Sequence, residues 1–320
     1  MTSEKAKSVA TRAALMGATI PEDRDHWLNV LRKGYVGASE AAAFYAGVKS
    51  FTDIWTLWHK SKGNVESVTP ATPAMEFGSE IEGAIIRFAC RQYGLTLLDT
   101  PENAIWRSDE YGLAATPDAI ALDDEDKLWL IEAKGPWRNW REVAEDGEEV
   151  PYQYQIQCQQ QMGLTEIPRC LLVASFYAGV PRCHTVEFDP DWWVKHKERA
   201  QRFWQSVREH DECPFNPPGT DSADTVLKQL YPEDTGEIIT LPPESTEKYR
   251  QYLDAHNRKT VADKHEKELK QWFKSRLGDA SVGRIPQTNR EFTNFKEHRK
   301  AEEKPRPAWS GRVARFRKAK

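Results

Sequence analysis

The stretch ATPDAIALDDEDKLWLIEAK, residues 115–134, leaves few arrangements open to the chain around it. Two apolar runs flank a polar turn at residues 123–127, the pattern of an antiparallel hairpin. Successive side chains of a strand point to opposite faces, so Trp129, Ile131 and Ala133 share one side while Leu130, Glu132 and Lys134 share the other. If Leu122 pairs with Leu128, the antiparallel register keeps the sum of paired positions constant and Asp118 falls opposite Glu132. That register gathers two carboxylates and an ammonium on one face of a core strand. Buried charge is costly unless it is paired or bound to something.

The flanking sequence supplies helices and further strands. PEDRDHWLNVLRKG, from Pro21, reads as a helix with Gly34 just past its end. GASEAAAFYAG reads as a second, with Ser39 as its N-cap, and FTDIWTLWHKSKG as a third, with Trp55 and Trp58 in the core. FGSEIEGAIIRFACRQYG, residues 77–94, is amphipathic, with Ile81, Ala84, Ile85 and Phe88 at helical spacing and Gly94 as terminator. Glu82 lies beside that stripe and needs a partner. PYQYQIQCQQQMGL reads as a helix, RCLLVASF as a buried strand, RCHTVEF as its hairpin partner, and DPDWWVKHKERAQRFWQSVREH as a long helix. The alternation predicts an α/β core. The expected layout is a leader at 1–20, a core at 21–212, a proline-rich linker at 213–243 and a helical, basic extension at 244–320.

Charge sharpens that division. Residues 1–240 carry 24 basic and 38 acidic side chains, whereas residues 241–320 carry 21 basic and 11 acidic. An acidic body with a basic C-terminal segment suggests a polyanionic partner, the plainer alternative being a solvated helical tail. Five cysteines without a CxxC pair fit neither a disulfide scaffold nor a zinc or iron–sulfur site. The eight histidines show no HxxxH or HExxH spacing. With no signal peptide and no apolar run of membrane-spanning length, a soluble cytoplasmic protein is expected.

Helical Glu82, then Asp118, Glu132 and Lys134 together suggest a metal site for phosphodiester hydrolysis. Magnesium prefers a few carboxylate oxygens plus water, and a lysine beside it can orient or help deprotonate the attacking water. The backbone carbonyl of Ala133 is a further candidate ligand. Taken singly, each element has a bland reading: an ExK on a strand is usually a surface ion pair and PD is a common turn dipeptide. Their combination in this order argues against coincidence.

Pro117–Asp118 followed by Glu132-Ala133-Lys134 resembles the PD-(D/E)xK nuclease signature. GASE at 37–40, GSEIE at 78–82, TPDAI, LIEAK and YQYQIQCQQQM at 152–162 are more specifically similar to the YqaJ-type viral recombinases and the phage lambda exonuclease family, over roughly residues 21–210. The resemblance implies a restriction-endonuclease-like core, a central mixed β-sheet flanked by helices. It implies Glu82, Asp118 and Glu132 as ligands of Mg²⁺ (or Mn²⁺ in its place) and Lys134 as the catalytic lysine. Gln155 matches the family's helix glutamine, with Gln157 as a second candidate. Arg32 and Ser39 fall where the family holds a DNA phosphate, a role that an arginine and a hydroxyl at a helix N-terminus suit, although a surface charge and a cap would look the same. Duplex DNA with free ends, a single-strand annealing protein and further copies in a trimeric ring are the implied partners, in a phage or prophage setting. Beyond the resemblance, Arg312, Arg315, Arg317, Lys318 and Lys320 are candidate phosphate contacts, with Trp309 and Phe316 available for stacking. The activity expected is a Mg²⁺-dependent, 5′-to-3′ exonuclease on double-stranded DNA. An endonuclease of the same fold and a non-catalytic DNA-binding protein stand as alternatives.

Overall fold

The computed structural model describes residues 11, 14–66, 73–135, 150–176, 179–288 and 290–294. The chain divides into two units, Met1–Pro232 and Glu233–Lys320. In the first, the strands are β1 (Ala18–Thr19), β2 (Val36–Gly37), β3 (Thr96–Leu97), β4 (Ile105–Ser108), β5 (Leu113–Ala115), β6 (Ala119–Leu122), β7 (Leu128–Lys134), β8 (Arg169–Phe176) and β9 (Gly179–Glu187). The helices are α1 (Ile54–Lys62), α2 (Pro73–Tyr93), α3 (Tyr152–Thr165), α4 (Pro190–Glu209) and α5 (Asp221–Leu230).

The main sheet runs β3–β6–β7–β8–β9, with β7 and β8 parallel and every other pair antiparallel. This is the mixed sheet expected from the sequence. Leu122 pairs with Leu128 and Ala119 with Ile131, so the hairpin has the predicted register. Its turn is locally satisfied: Asp123 Oδ1 accepts from the backbone N–H groups of Glu125 and Lys127, at 3.0 and 2.8 Å, and Oδ2 from the Trp129 indole. Asp126 takes the left-handed conformation (φ 60°), which Asp tolerates better than most residues.

Parallel strands need a crossover, and α3 supplies it between β7 and β8. Leu130, Leu172, Tyr154, Cys158 and Met162 pack together on the α3 side of the sheet. Ile131, Ala133, Leu171 and Val173 pack with Ile85, Ile86 and Ala89 of α2 on the other. The buried stripe of α2 is therefore Ile85, Ile86, Ala89 and Cys90, with Ile81 half-buried against it, while Ala84 is exposed and Phe88 half-buried outside it, which departs from the stripe read from the sequence at those two positions. Apolar residues nearly encircle this helix between 81 and 90, so contact with the sheet decides which of them are covered.

A second sheet, β1–β4–β5–β2, carries the N-terminal segment. The expected first helix is a single α-turn at Arg24–His26 running into a π-helical turn at Trp27–Leu31, closed by Arg32 N–H donating to the Trp27 carbonyl at 2.9 Å. The GASEAAAF helix is also corrected. Val36 and Gly37 pair parallel with Leu113 and Ala114, leaving only a 3-10 turn at Ala41–Phe44 with Glu40 rather than Ser39 before it. All four residues of that turn are buried, so its sequence answers to packing rather than to an amphipathic period.

Within the stretch read as a linker at 213–243, α5 is N-capped by Thr220, and its Ala223 and Val226 pack on Trp55 and Val65. Asp53 fastens both helices, capping α1 through the Thr56 N–H and accepting from Thr220 and Ser222 hydroxyls at 2.6 and 2.7 Å. Deeper in, Gln160 donates to the carbonyls of Val36 and Ala114 and accepts from His196, whose other ring nitrogen meets the Tyr45 hydroxyl at 2.9 Å. With both Gln160 amide protons committed to carbonyls, its oxygen takes the Nε2–H of a neutral His196, and Nδ1 accepts from Tyr45.

The second unit holds α6 (Ser245–Leu277), a 33-residue helix with no buried residue, and the hairpin of β10 (Val282–Arg284) and β11 (Glu291–Thr293). Phe273 near the end of α6 stacks on Phe292, with ring centroids 5.2 Å apart. No helix among the described residues is long and apolar enough to cross a membrane.

Candidate active site

Asp118 enters at the foot of β6, and its Oδ2 accepts the Ala133 backbone N–H at 2.7 Å. That bond spends a ladder donor of β7 on a side chain and fixes the carboxylate beside the strand. Two residues along β7 from Lys134, Glu132 is 2% exposed and held by three donors. Lys134 Nζ lies 2.5 Å and Gln157 Nε2 2.6 Å from its Oε1, and Gln161 Nε2 lies 2.6 Å from its Oε2. Lys134 Nζ also sits over the Tyr154 ring at 5.3 Å from the centroid. The three charged side chains thus meet on the face that the hairpin register predicts.

Glu82 approaches from α2, on the opposite layer, at the end of the sheet where β7 stops. It lines a cleft of about 340 Å³ together with Met75, Ser79, Ala133, Lys134 and Gly135. Glu82 is coupled to the strand residues electrostatically: burial raises its carboxyl pKa, Glu132 raises it further and Lys134 opposes both. A larger cavity of about 510 Å³, lined by Asp109, Glu110, Tyr111 and Trp204 among others, shares no residue with this cleft and gathers none of the predicted side chains.

Charge at the centre is unbalanced. Burial, then the neighbouring Glu132, raises Asp118 well above the ordinary carboxylate range. Burial works against the Lys134 ammonium, but Glu132 and Asp118 outweigh it and raise the lysine pKa. Three carboxylates face one ammonium, and the buried Oε1 atoms of Gln157 and Gln161 have no hydrogen-bond partner. Hard oxygen donors, excess negative charge and orphaned acceptors fit a divalent cation of the Mg²⁺ type. As the side chains stand, no group of three His, Cys, Asp or Glu residues among those described is arranged to hold a metal ion. Glu132 is engaged instead by Lys134 and the two glutamines, and Asp118 by the β7 backbone.

The glutamine assignment changes in detail. Gln155 donates to the Val150 carbonyl at 2.7 Å and closes the first turn of α3, away from Glu132. Gln157, the second candidate, and Gln161, which the sequence reading missed, are the contacts. Four residues apart on α3, they share one face, whereas Gln155 is rotated by about 200° from Gln157. The i, i+4 spacing was the available signal, blurred by six glutamines in one helix. Arg32 pairs with Glu40 at 3.2 Å and stacks on Trp27 at 5.3 Å, and Ser39 is partly buried. Arg312, Arg315, Arg317, Lys318, Lys320, Trp309 and Phe316 lie outside the described residues.

Residues 26–168, which contain Arg32, Ser39 and the cleft residues from Met75 to Gln161, match the model of the YqaJ-like viral recombinase domain. These residues, somewhat less than half of the chain, are similar to YqaJ-like viral recombinase domains. Every part of the site, from Glu82 on α2 to Gln161 on α3, falls inside the matched residues. Among solved structures, the chain is similar to an alkaline exonuclease from Laribacter hongkongensis at 20% identity and a TM-score of 0.47, over 57% of this chain and 92% of that one. The same enzyme in complex with dAMP gives 21% and 0.45, over 56% and 90%. A phage-related exonuclease from Haemophilus somnus 129PT gives 16% and 0.40, over 54% and 95%. No curated protein matches the chain.

Proposed function

We propose that this chain is a divalent-metal-dependent exonuclease that resects double-stranded DNA from free ends, 5′ to 3′, and exposes single strands for recombination. The observation that carries this reading is the convergence of Asp118, Glu132 and Lys134 on one strand face, with Glu82 across the cleft and more negative charge than the protein itself balances. The similarity of residues 26–168 to YqaJ-like viral recombinase domains supports the recombination context.

In this reading Glu82, Asp118, Glu132 and the Ala133 carbonyl hold Mg²⁺, for which Mn²⁺ substitutes. When bound, the ion supplies a lowered pKa for water and neutralisation of charge developing on the phosphoryl group. The chain's own groups do the positioning. Lys134, paired with Glu132 at the cleft, is placed to orient or help deprotonate the attacking water or to donate to a phosphoryl oxygen. Gln157 and Gln161 set the orientation of both Glu132 oxygens. The Tyr154 ring supports the Lys134 ammonium from beneath. Arg32 and Ser39 are assigned to a DNA phosphate, and Arg32 must then exchange Glu40 for it. A ring-shaped trimer and transfer of the product strand to an annealing protein belong to the same proposal.

The test is digestion of linear duplex DNA labelled at either terminus, with Mg²⁺ or EDTA, beside a closed circle. Wild type is expected to release the 5′ label as mononucleotides only with Mg²⁺ and to spare the circle. Lys134→Ala is expected to lose about 10²–10⁴-fold in rate. Cutting of the circle would move the assignment to an endonuclease, and no cleavage with either metal would favour a binding role.

A further inference from the structure

From the charge pattern of α6, we infer that one face of this helix is a docking surface for the phosphate backbone of duplex DNA. The inference rests on DNA being the substrate, and goes beyond that reading by assigning a second binding surface. An α-helix turns about 100° per residue, so Lys248, Lys259, Lys267, Lys270 and Lys274 project within an arc of about 100°. They run about 39 Å along the axis, close to one helical turn of B-form DNA.

Ion pairing within the helix separates the two sides. Arg250 pairs with Glu247, Arg258 with Asp254, and Lys264 and His265 both approach Glu268, all outside the lysine arc. Inside the arc only Lys270 has an acidic partner, Glu266. Lys248, Lys259, Lys267 and Lys274 are exposed and make no ion pair among the described residues. A helix that merely needed solvation would gain from i, i+4 pairs on every side. Outside the arc Arg250, Arg258 and Lys264 approach acidic partners and Arg276 stacks on Trp272, whereas inside it four of the five lysines make no ion pair although Asp263 shares their face, in the part of the chain that carries excess positive charge.

A partner helix is the competing occupant, and the apolar residues argue against it. Leu253, Val261, Leu269 and Trp272 are exposed, lie outside the arc, and are spaced by eight, eight and three residues, while the exposed Tyr249 and Tyr252 lie on it, so the apolar side chains make no single heptad seam. Unpaired lysines at this density suit a polyanion, because each phosphate they neutralise releases condensed counterions.

The experiment is a salt titration of binding to a 30-bp duplex in EDTA, using the full chain. Compared with wild type are K248Q/K259Q/K267Q/K274Q and the charge-matched control R250Q/R258Q/K264Q/R276Q. The lysine variant is expected to lose at least about tenfold in affinity at low salt, and its slope of log K against log salt to fall by about 3–4. The control should change less than about threefold. Equal losses in both variants would reduce the effect to net charge and overturn the docking face, as would no loss in either. In case the substitutions unwind the helix, lysine acetylation of the wild-type chain gives a second reading. Protection of Lys248, Lys259, Lys267 and Lys274 by DNA, with Lys264 unprotected, supports the face, and uniform labelling overturns it. Binding is read without metal, so wild-type protein that binds but does not cut would overturn only the catalytic reading.

Discussion

Asp118 and Glu132 are two carboxylates that the fold brings side by side, Glu132 buried and Asp118 partly so, and the cost should be measurable without any substrate. The raised pKa of Asp118 means that the folded state prefers it protonated. Its ionised form therefore destabilises the metal-free protein, with a cost that appears as pH rises from about 4, the ordinary aspartate range, through the raised value. Asp118→Asn keeps an oxygen for the Ala133 N–H and removes the charge. In EDTA at pH 7.5 the variant is expected to melt about 2–4 °C above wild type, with the gap closing near pH 4.5 and activity abolished. A lower melting temperature at both pH values would show that the carboxylate stabilises the apo site instead. His196 reports the opposite case. Burial, reinforced by Arg199, holds its pKa down to about 3, so the folded state keeps it neutral while the unfolded chain binds a proton below about 6.5. Its contribution to stability is complete above that pH and is lost as pH falls toward 3, at up to about 1.4 kcal/mol per unit. Denaturant titrations at pH 7, 6 and 5 should show this slope in wild type and a shallower one in His196→Gln.

At the scale of elements, α3 carries most of the site's precision, since it packs on β7, contributes both glutamines and receives α4. Trp193 of α4 lies over Gly163: a Cβ at that position would stand 2.5 Å from the indole ring. Gly163→Ala is expected to destabilise the fold by about 1–3 kcal/mol through overpacking. A denaturation midpoint unchanged from wild type would show that α4 slides to accommodate the methyl. Gln157 was legible only as a second choice and Gln161 not at all, because a helix with glutamine at six positions offers several faces one. The β6–β7 hairpin was readable, register included, because its turn and its pairing are local. The stripe of α2 was misread by a fraction of a turn, since Ala84 and Phe88 satisfy the helical period as well as Ile86 and Ala89 do. Neither the π-helical turn before Arg32 nor the 3-10 turn after Ser39 has a signal in residue type, as both follow from strand pairing and packing between segments distant in sequence.

At the scale of the whole molecule, an acidic first unit containing the cleft is joined to a second unit with excess positive charge. Residues 1–232 expressed alone are expected to fold cooperatively and to cleave DNA at low salt. Their affinity for duplex should be weaker than that of the full chain and less dependent on salt, checked by anisotropy across a salt series. Failure of 1–232 to fold would place part of its stability in the remaining residues. The satisfied turn at Asp123 also has a consequence for how the molecule comes together in time. Hairpins close over short sequence separations, and one whose turn is already hydrogen-bonded loses little chain entropy in forming. The β6–β7 pairing is thus the natural folding nucleus, with φ-values near 0.5–0.8 anticipated at Ile120 and Leu130 and lower values in α4. Asp118 and Glu132 would then be brought face to face in the transition state, before α2 delivers Glu82, so the nascent chain meets its strongest internal repulsion early. Divalent cations or mild acid should accordingly accelerate folding as well as stabilise the product.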